Sequence, residues 1–202
     1  MKLLFATGNE SKYQLMKNRL KDLEEIELVT PKMLNIKIDV VEDGKTPEEN
    51  AFKKAKAYYD SLKIATIAED SGLYIEKFSE EDQPGLFVRR INGVDEASDE
   101  ELLDYYTNKL KKYGGESLAS YHTGVCLIDP NGKAHGKEII ETGFLLTTKR
   151  SEKPITKGTP LDSISFDLDN NKYFNERTEE EKKIHYNKLD KEYVELVSEI
   201  LK

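Results

Sequence analysis

Two carboxylates sit side by side in Ala68-Glu69-Asp70-Ser71-Gly72-Leu73, directly after the apolar run Ile64 to Ala68. An acid where a strand ends can hold a divalent cation or take a proton from water, because loops converge on ligands at the strand ends of open α/β sheets. Asp70 is the first candidate for that chemistry, although Asp-Ser-Gly also reads as an ordinary turn. Glu69 has the weaker claim, since adjacent strand residues point to opposite faces. A second set of groups suits a polyphosphate. Residues 3–12, LLFATGNESK, run from an apolar strand through Gly8-Asn9 into a helix start, where unpaired N–H groups and the helix dipole favour an anion. Gly8 lets the backbone approach closely, Asn9 offers an amide donor and Lys12 adds a compact positive charge one turn in. The spacing is neither the GxxxxGK[ST] of a P-loop nor the GxGxxG of a dinucleotide fold.

More groups of the same kind follow. Asn50 and Lys54, four apart, share a helical face and can both reach a phosphate chain. Glu42 and Asp43 precede Gly44 and offer hard oxygen ligands for Mg²⁺, as surface turn acids equally would. Glu49 has two competing readings. It is a ligand candidate, and it is also the third helical residue of the capping box Thr46-Pro47-Glu48-Glu49, where its carboxylate would bind the Thr46 N–H. In Pro84-Gly85-Leu86-Phe87-Val88-Arg89-Arg90 an extended stretch would turn only one of the two arginines toward a site.

The elements that must hold these groups read as α/β. Strand-like runs occur at Lys2 to Thr7, Glu25 to Thr30, Ile36 to Val41, Ile64 to Ala68 and Leu73 to Ile75, with helical patterns after the first and third. Pro47 opens an amphipathic helix to about Ser61 that buries Ala51, Phe52, Ala55, Tyr58 and Tyr59. Another spans Ser98 to Tyr113, closed by Gly114-Gly115, with Leu102, Leu103, Tyr106 and Leu110 inward. Ser117 to Leu146 forms two β-rich arms around Asp129-Pro130-Asn131-Gly132, read as a projecting lobe over about 116–146. The site-bearing lobe takes about 1–115 and 147–202 of a single domain. Glu179 to Lys183 reads as a solvated helix start before a terminal helix from about Lys188 to Leu201.

With 31 basic and 39 acidic residues among 202, the net charge of −8 repels a nucleic-acid backbone, and no basic-aromatic surface pattern offsets it. The one cysteine, Cys126, lies in an apolar run and reads as a buried structural thiol. Without a signal-like or membrane-spanning run, the expectation is a soluble cytoplasmic protein that binds no membrane.

Taken together, TGNESK, EENAFKKA, AEDSGL and PGLFVRR, in that order, resemble the inosine triphosphate pyrophosphatase family, over residues 1 to about 95. The resemblance implies an elongated two-lobed α/β fold with a central mixed sheet flanked by helices, a cleft and a homodimer. It implies a Mg²⁺-dependent pyrophosphohydrolase that converts deaminated purine nucleoside triphosphates (ITP, dITP or XTP) to the monophosphate and pyrophosphate. By that match, Thr7, Gly8, Asn9 and Lys12 belong to the triphosphate loop, and Asn50 and Lys54 to the phosphate-contacting helix. Asp70 is the metal-binding acid and general base, and Ser71 a substrate contact. Glu42 is the acid that shares the metal, with Asp43 and Glu49 the other candidates, and Arg90 falls on the arginine of the PGxYSAR motif.

The departures lie in the base-reading half. Gly158-Thr159-Pro160-Leu161-Asp162-Ser163 keeps Gly158 and Asp162 of a GFGYDP-like segment and loses its aromatic pair. Lys182-Lys183-Ile184-His185-Tyr186 keeps Lys182 and a histidine, His185, without the serine and arginine of KNxxSHR. Tyr173, Phe174 and Tyr186 are the rings that could replace the lost stack. Fewer base contacts mean weaker discrimination, so two alternatives stand beside the main reading. One is a nucleotide-binding protein with little or no turnover, the other a Maf-like pyrophosphatase for modified pyrimidine triphosphates.

Overall fold

The structure, a computed structural model, describes residues 1–94 and 97–201. Seven strands form one mixed sheet in the order β2-β1-β3-β4-β5-β6-β7. They are β1 (Lys2–Phe5), β2 (Glu27–Val29), β3 (Thr66–Ile75), β4 (Glu116–Ile128), β5 (Ala134–Thr147), β6 (Ser165–Asp167) and β7 (Lys172–Tyr173). Strand β1 pairs in parallel with β2 and β3, whereas β5–β6 and β6–β7 are antiparallel. Four helices accompany them: α1 (Glu10–Arg19), α2 (Pro47–Leu62), α3 (Asp99–Lys112) and α4 (Glu179–Ile200). Among the described residues no helix is long and apolar enough to cross a membrane.

Contacts divide the chain into two units. The first contains Met1–Ser71, Thr123–Ile139 and Tyr186–Lys202, the second Gly72–His122 and Ile140–His185. In the first, the strands bury both faces, as parallel strands do, so Leu3, Leu4 and Phe5 are each fully covered. Alternation sorts their side chains. Phe5, Ile67, Val125 and Leu127 pack with Met16 of α1 and Tyr193 and Val197 of α4. Ala6, Ala68, Cys126 and Ile128 pack with Ala51 and Ala55 of α2. The small side chains let α2 lie close to the sheet, and at Gly124 the contact is backbone on backbone. A Cβ there would sit 2.3 Å from the Glu48 nitrogen. Cys126 is buried and its thiol pKa is pushed up to about 11 by burial, as befits a structural cysteine.

In the second unit, α3 opens on a complete capping box of Ser98 and Glu101 and closes at Gly114 and Gly115, both at φ near +90°. Its Leu102, Leu103, Tyr106 and Leu110 face inward onto Phe144, Leu146 and Phe174.

Several expected elements take a different form. Residues 36–41 form no strand, although exposure alternates along them as in a half-covered extended segment without a ladder partner. The runs 64–68 and 73–75 merge into the single strand β3, so Asp70-Ser71-Gly72 is no turn. Phe52 of α2 is exposed rather than buried. The helix start expected at Glu179 to Lys183 and the terminal helix expected from Lys188 are one helix, α4, opened by a capping box of Thr178 and Glu181. Residues 116–146, expected as one lobe, are shared between the two units.

Candidate functional site

Alternation along β3 sends its two acids apart. Glu69 falls with Ile67 on the side of α1 and α4, and Asp70 returns with Ala68 to the side of α2. On the α2 side, the buried Asn50 holds two pieces of chain. Its Nδ2 donates to Asp70 Oδ2 at 2.9 Å, and its Oδ1 accepts the Gly44 N–H at 2.8 Å. One turn on, Lys54 Nζ lies 2.8 Å from Glu42 Oε2 and donates to the Glu69 carbonyl at 3.4 Å. Asn50 and Lys54 thus bring the segment before α2 and the middle of β3 to one helix face, as their spacing predicts. Ser71 Oγ shares a 2.9 Å hydrogen bond with Thr123 Oγ1 of β4.

The turn between β1 and α1 completes this region. Thr7 Oγ1 accepts the Asn9 N–H, and Asn9 Oδ1 caps α1 by accepting the Lys12 N–H at 3.1 Å. The Asn9 oxygen serves the helix, so its amide NH₂ is the end a ligand can use. Thr7, Gly8, Asn9, Lys12, Glu42, Lys54 and Glu69 line a cavity of about 280 Å³. Two lysines, a helix N-terminus and two carboxylates around one concavity suit a metal-bound polyphosphate.

Glu69 is the surprise. It borders the cavity, whereas Asp70 lies just outside its lining. Its side chain is 9% exposed, with Lys12 Nζ at 3.3 Å and Arg19 Nη1 at 3.8 Å, and it accepts the Tyr193 O–H at 2.7 Å. Burial pushes this carboxyl pKa up, but Lys12, the Tyr193 hydroxyl and Arg19 outweigh that and hold it below the usual range. Arg19 in turn donates to Asp190 at 2.7 Å and lies 4.1 Å from the centre of the Tyr193 ring. Sequence reasoning missed Arg19 and took Tyr193 only as a packing residue at helical spacing in the terminal helix.

For a divalent cation, the donor set is two carboxylates, Glu42 and Asp70, each hydrogen-bonded to a neighbouring residue of α2. Among the described residues no group of three or more acid, histidine or cysteine side chains gathers around one point. That fits Mg²⁺ bound to a nucleotide, which takes one or two carboxylates and completes its shell with phosphate oxygens and water. Glu49 fits less well. It is exposed, and its Oε2 accepts the Lys45 N–H at 2.7 Å, one residue before the Thr46 N–H expected. Its carboxylate therefore serves the helix start.

The remaining candidates, Tyr186 apart, belong to the second unit. The segment holding Arg89 and Arg90 is turned rather than extended, with the Arg90 N–H bonded to the Phe87 carbonyl. Arg89 is structural, bound to Asp99 and to the Ala97 and Gly158 carbonyls, while Arg90 is exposed beside the Phe87 ring. Asp162 sits half-buried in the short turn Pro160–Ser163. Burial raises its pKa and Glu141 adds to the rise, against Thr159, Arg177 and Lys182. His185 Nε2 is 2.7 Å from Glu141 Oε1, and Lys182 pairs with Glu179 at 2.7 Å. Of the candidate stacking rings, Phe174 is buried with the Arg177 guanidinium 3.6 Å from its centre, and Tyr173 packs edge-on against Phe166. Tyr186 alone of the three is exposed.

Comparison with known proteins identifies relatives of the chain. A profile of the Ham1 family matches residues 3–188. A dITP/XTP pyrophosphatase of Borreliella burgdorferi is 32% identical over 189 residues, covering 89% of this chain and 87% of its own. One of Aquifex aeolicus is 42% identical over 102 residues, and there the chain spans about half the length of the relative. The solved structure of a HAM1 protein from Coxiella burnetii superposes with a TM-score of 0.81 over 98% of this chain and 99% of that one, at 24% identity, which bears on the fold.

Proposed function

This chain belongs to the Ham1 family, and we propose that it hydrolyses deaminated purine nucleoside triphosphates to the monophosphate and pyrophosphate, with Mg²⁺ as cofactor. The observation that carries the proposal is a cavity in which the helix-capping turn Thr7-Gly8-Asn9, Lys12 and Lys54 face Glu42, with the Asn50-bound Asp70 just outside its lining. Relatives named dITP/XTP pyrophosphatase support the substrate class.

In this reading the N–H groups at the start of α1 and the two ammonium groups bind the phosphate chain and hold the leaving pyrophosphate. Glu42 and Asp70 would hold Mg²⁺, which supplies charge neutralisation on the triphosphate. Lys54 exchanges its partner Glu42 for a phosphate oxygen when the nucleotide arrives. Asp70, oriented by the Asn50 amide, takes the proton of the attacking water. Ser71, fixed by Thr123, and the exposed Arg90 contribute further substrate contacts. For the base, Asp162, Lys182 and His185 are the proposed contacts, with Tyr186 the ring accessible for stacking. A cytoplasmic homodimer acting on free nucleotides completes the proposal.

The test is a panel of ITP, dITP, XTP, GTP, ATP and modified pyrimidine triphosphates with Mg²⁺, assayed for pyrophosphate and orthophosphate. Pyrophosphate from the deaminated purines, reduced about 10²–10⁴-fold in Asp70→Asn with an unchanged melting temperature, is the expected result. Thermal protection by nucleotide without turnover would instead identify a binder, and preference for pyrimidines the Maf-like activity.

A further inference from the structure

A cavity built to receive three linked phosphates has a carboxylate in its wall. Glu69 lines it together with Lys12 and Lys54, yet Glu69 is not held as a metal ligand would be. Its Oε2 accepts the Tyr193 hydroxyl and faces Arg19, while its Oε1 meets Lys12 at 3.3 Å. Arg19 is anchored on its far side by Asp190 and lies against the Tyr193 ring. These groups come from three elements, α1, β3 and α4, and Arg19, Glu69 and Tyr193 are all less than a tenth exposed. The negative charge is therefore fixed in place, with little freedom to swing out of the cavity or rotate toward solvent.

We infer that Glu69 is a fixed counter-charge that positions Lys12 and offsets part of its attraction for phosphate, so that the cavity releases pyrophosphate after each turnover. A cradle of two lysines and a helix N-terminus holds a multiply charged product tightly, and product release then limits the rate. A carboxylate bonded to one of those lysines lowers the affinity for reactant and product alike. The opposing charge reaches the phosphates through Lys12, the one ammonium that Glu69 contacts through its side chain. Asp70, on the other side of the strand, keeps the metal and the water.

The inference rests on the phosphate-binding reading of the cavity, and the experiment separates the two. Binding of inorganic pyrophosphate in the absence of metal is measured by calorimetry for wild type, Lys12→Met, Glu69→Gln and Tyr193→Phe, with melting temperatures and steady-state kinetics alongside. Glu69→Gln keeps the shape and the hydrogen bond to Tyr193 while deleting one charge. A unit charge about one side chain from the bound anion shifts affinity roughly tenfold. Glu69→Gln is expected to bind pyrophosphate about tenfold more tightly, with kcat and KM both falling. Tyr193→Phe leaves the charge in place, so its pyrophosphate affinity should stay within about twofold of wild type even where its melting temperature drops. Weaker pyrophosphate binding in both variants would mean that Glu69 merely braces the fold, and the inference fails. Unchanged binding in Glu69→Gln overturns it as well. If Lys12→Met binds pyrophosphate as wild type does, the phosphate reading of the cavity falls, and this inference with it.

Discussion

The contact that ties α2 to β3 can be tested by exchanging its two side chains. Asn50 is 3% exposed, donates to Asp70 Oδ2 at 2.9 Å and accepts from the Gly44 N–H at 2.8 Å. Asn50→Asp keeps the acceptor for Gly44 and replaces the donor by a second carboxylate oxygen. The lost hydrogen bond to a charged group costs about 1.5–3 kcal/mol. Two carboxylates about 4 Å apart repel by roughly 4 kcal/mol at an effective dielectric constant of about 20. Asp70 is only partly buried, so rotation toward water relieves some of that repulsion, and a net loss of about 3–5 kcal/mol is expected. Combining Asn50→Asp with Asp70→Asn lets amide and carboxylate trade places. The hydrogen bond then re-forms in the opposite direction with a single negative charge, and at least about 2 kcal/mol should return. Urea unfolding of wild type, both single variants and the double variant closes the cycle. Pyrophosphate release by the exchange variant should remain at the level of Asp70→Asn. An exchange variant as unstable as Asn50→Asp alone would refute the contact, and an active one would refute the role of the Asp70 carboxylate.

Gly124→Ala should cost about 3 kcal/mol or more, because its Cβ meets the backbone of Pro47 and Glu48, which cannot yield as a side chain would; denaturant midpoints check the loss, and the displaced start of α2 should lower turnover too. Arg177→Met leaves Asp167 buried without its guanidinium, with hydrogen bonds from Asn170 and the Asp169 N–H still in place, so the loss in unfolding free energy should fall near about 3 kcal/mol, the low end for a broken buried pair. Acid unfolding provides a pH check on the same pair. Burial pushes the Asp167 carboxyl up, but hydrogen bonds from Asn170 and Arg177 outweigh it, so the folded pKa lies below the unfolded value of 3.8. Its stabilisation is therefore complete above about pH 5 and declines as the pH falls through 3.8 toward the folded pKa. In Arg177→Met that acid limb of the stability curve should flatten, and an unchanged limb would count against the assignment.

The proposed phosphate-binding half was legible because its signals are local. Asn9 caps a helix that starts where β1 ends, and Asn50 and Lys54 lie one helical turn apart, so strand-turn-helix order and helical spacing sufficed to bring them together. The box at Thr178 and Glu181 was equally local: Glu179 to Lys183 was read as a solvated helix start, but it was set apart from the terminal helix placed at about Lys188, with which it is continuous. Other errors came from long-range contacts. Asp70-Ser71-Gly72 has the composition of a turn and lies in a strand, because Asn50, Thr123 and a close approach of Gly85 to Gly72 satisfy its polar groups and fill its space. Phe52 fits an apolar helical pattern, but the face it occupies meets no neighbour that covers it.

From residue order alone came the α/β class, the helix starts that collect the candidate phosphate-binding groups, and the division of the two adjacent acids between opposite faces of a strand. All of these follow from backbone periodicity and capping, which act over a few residues. The partners of those acids came from the folded chain. Asp70 meets Asn50, twenty residues away, and Glu69 meets Tyr193, 124 residues away. Whether a carboxylate near a phosphate cavity serves as base, ligand or counter-charge depends on which distant donors reach it. Those partners are brought there by helix packing on the sheet, and no spacing along the chain encodes them.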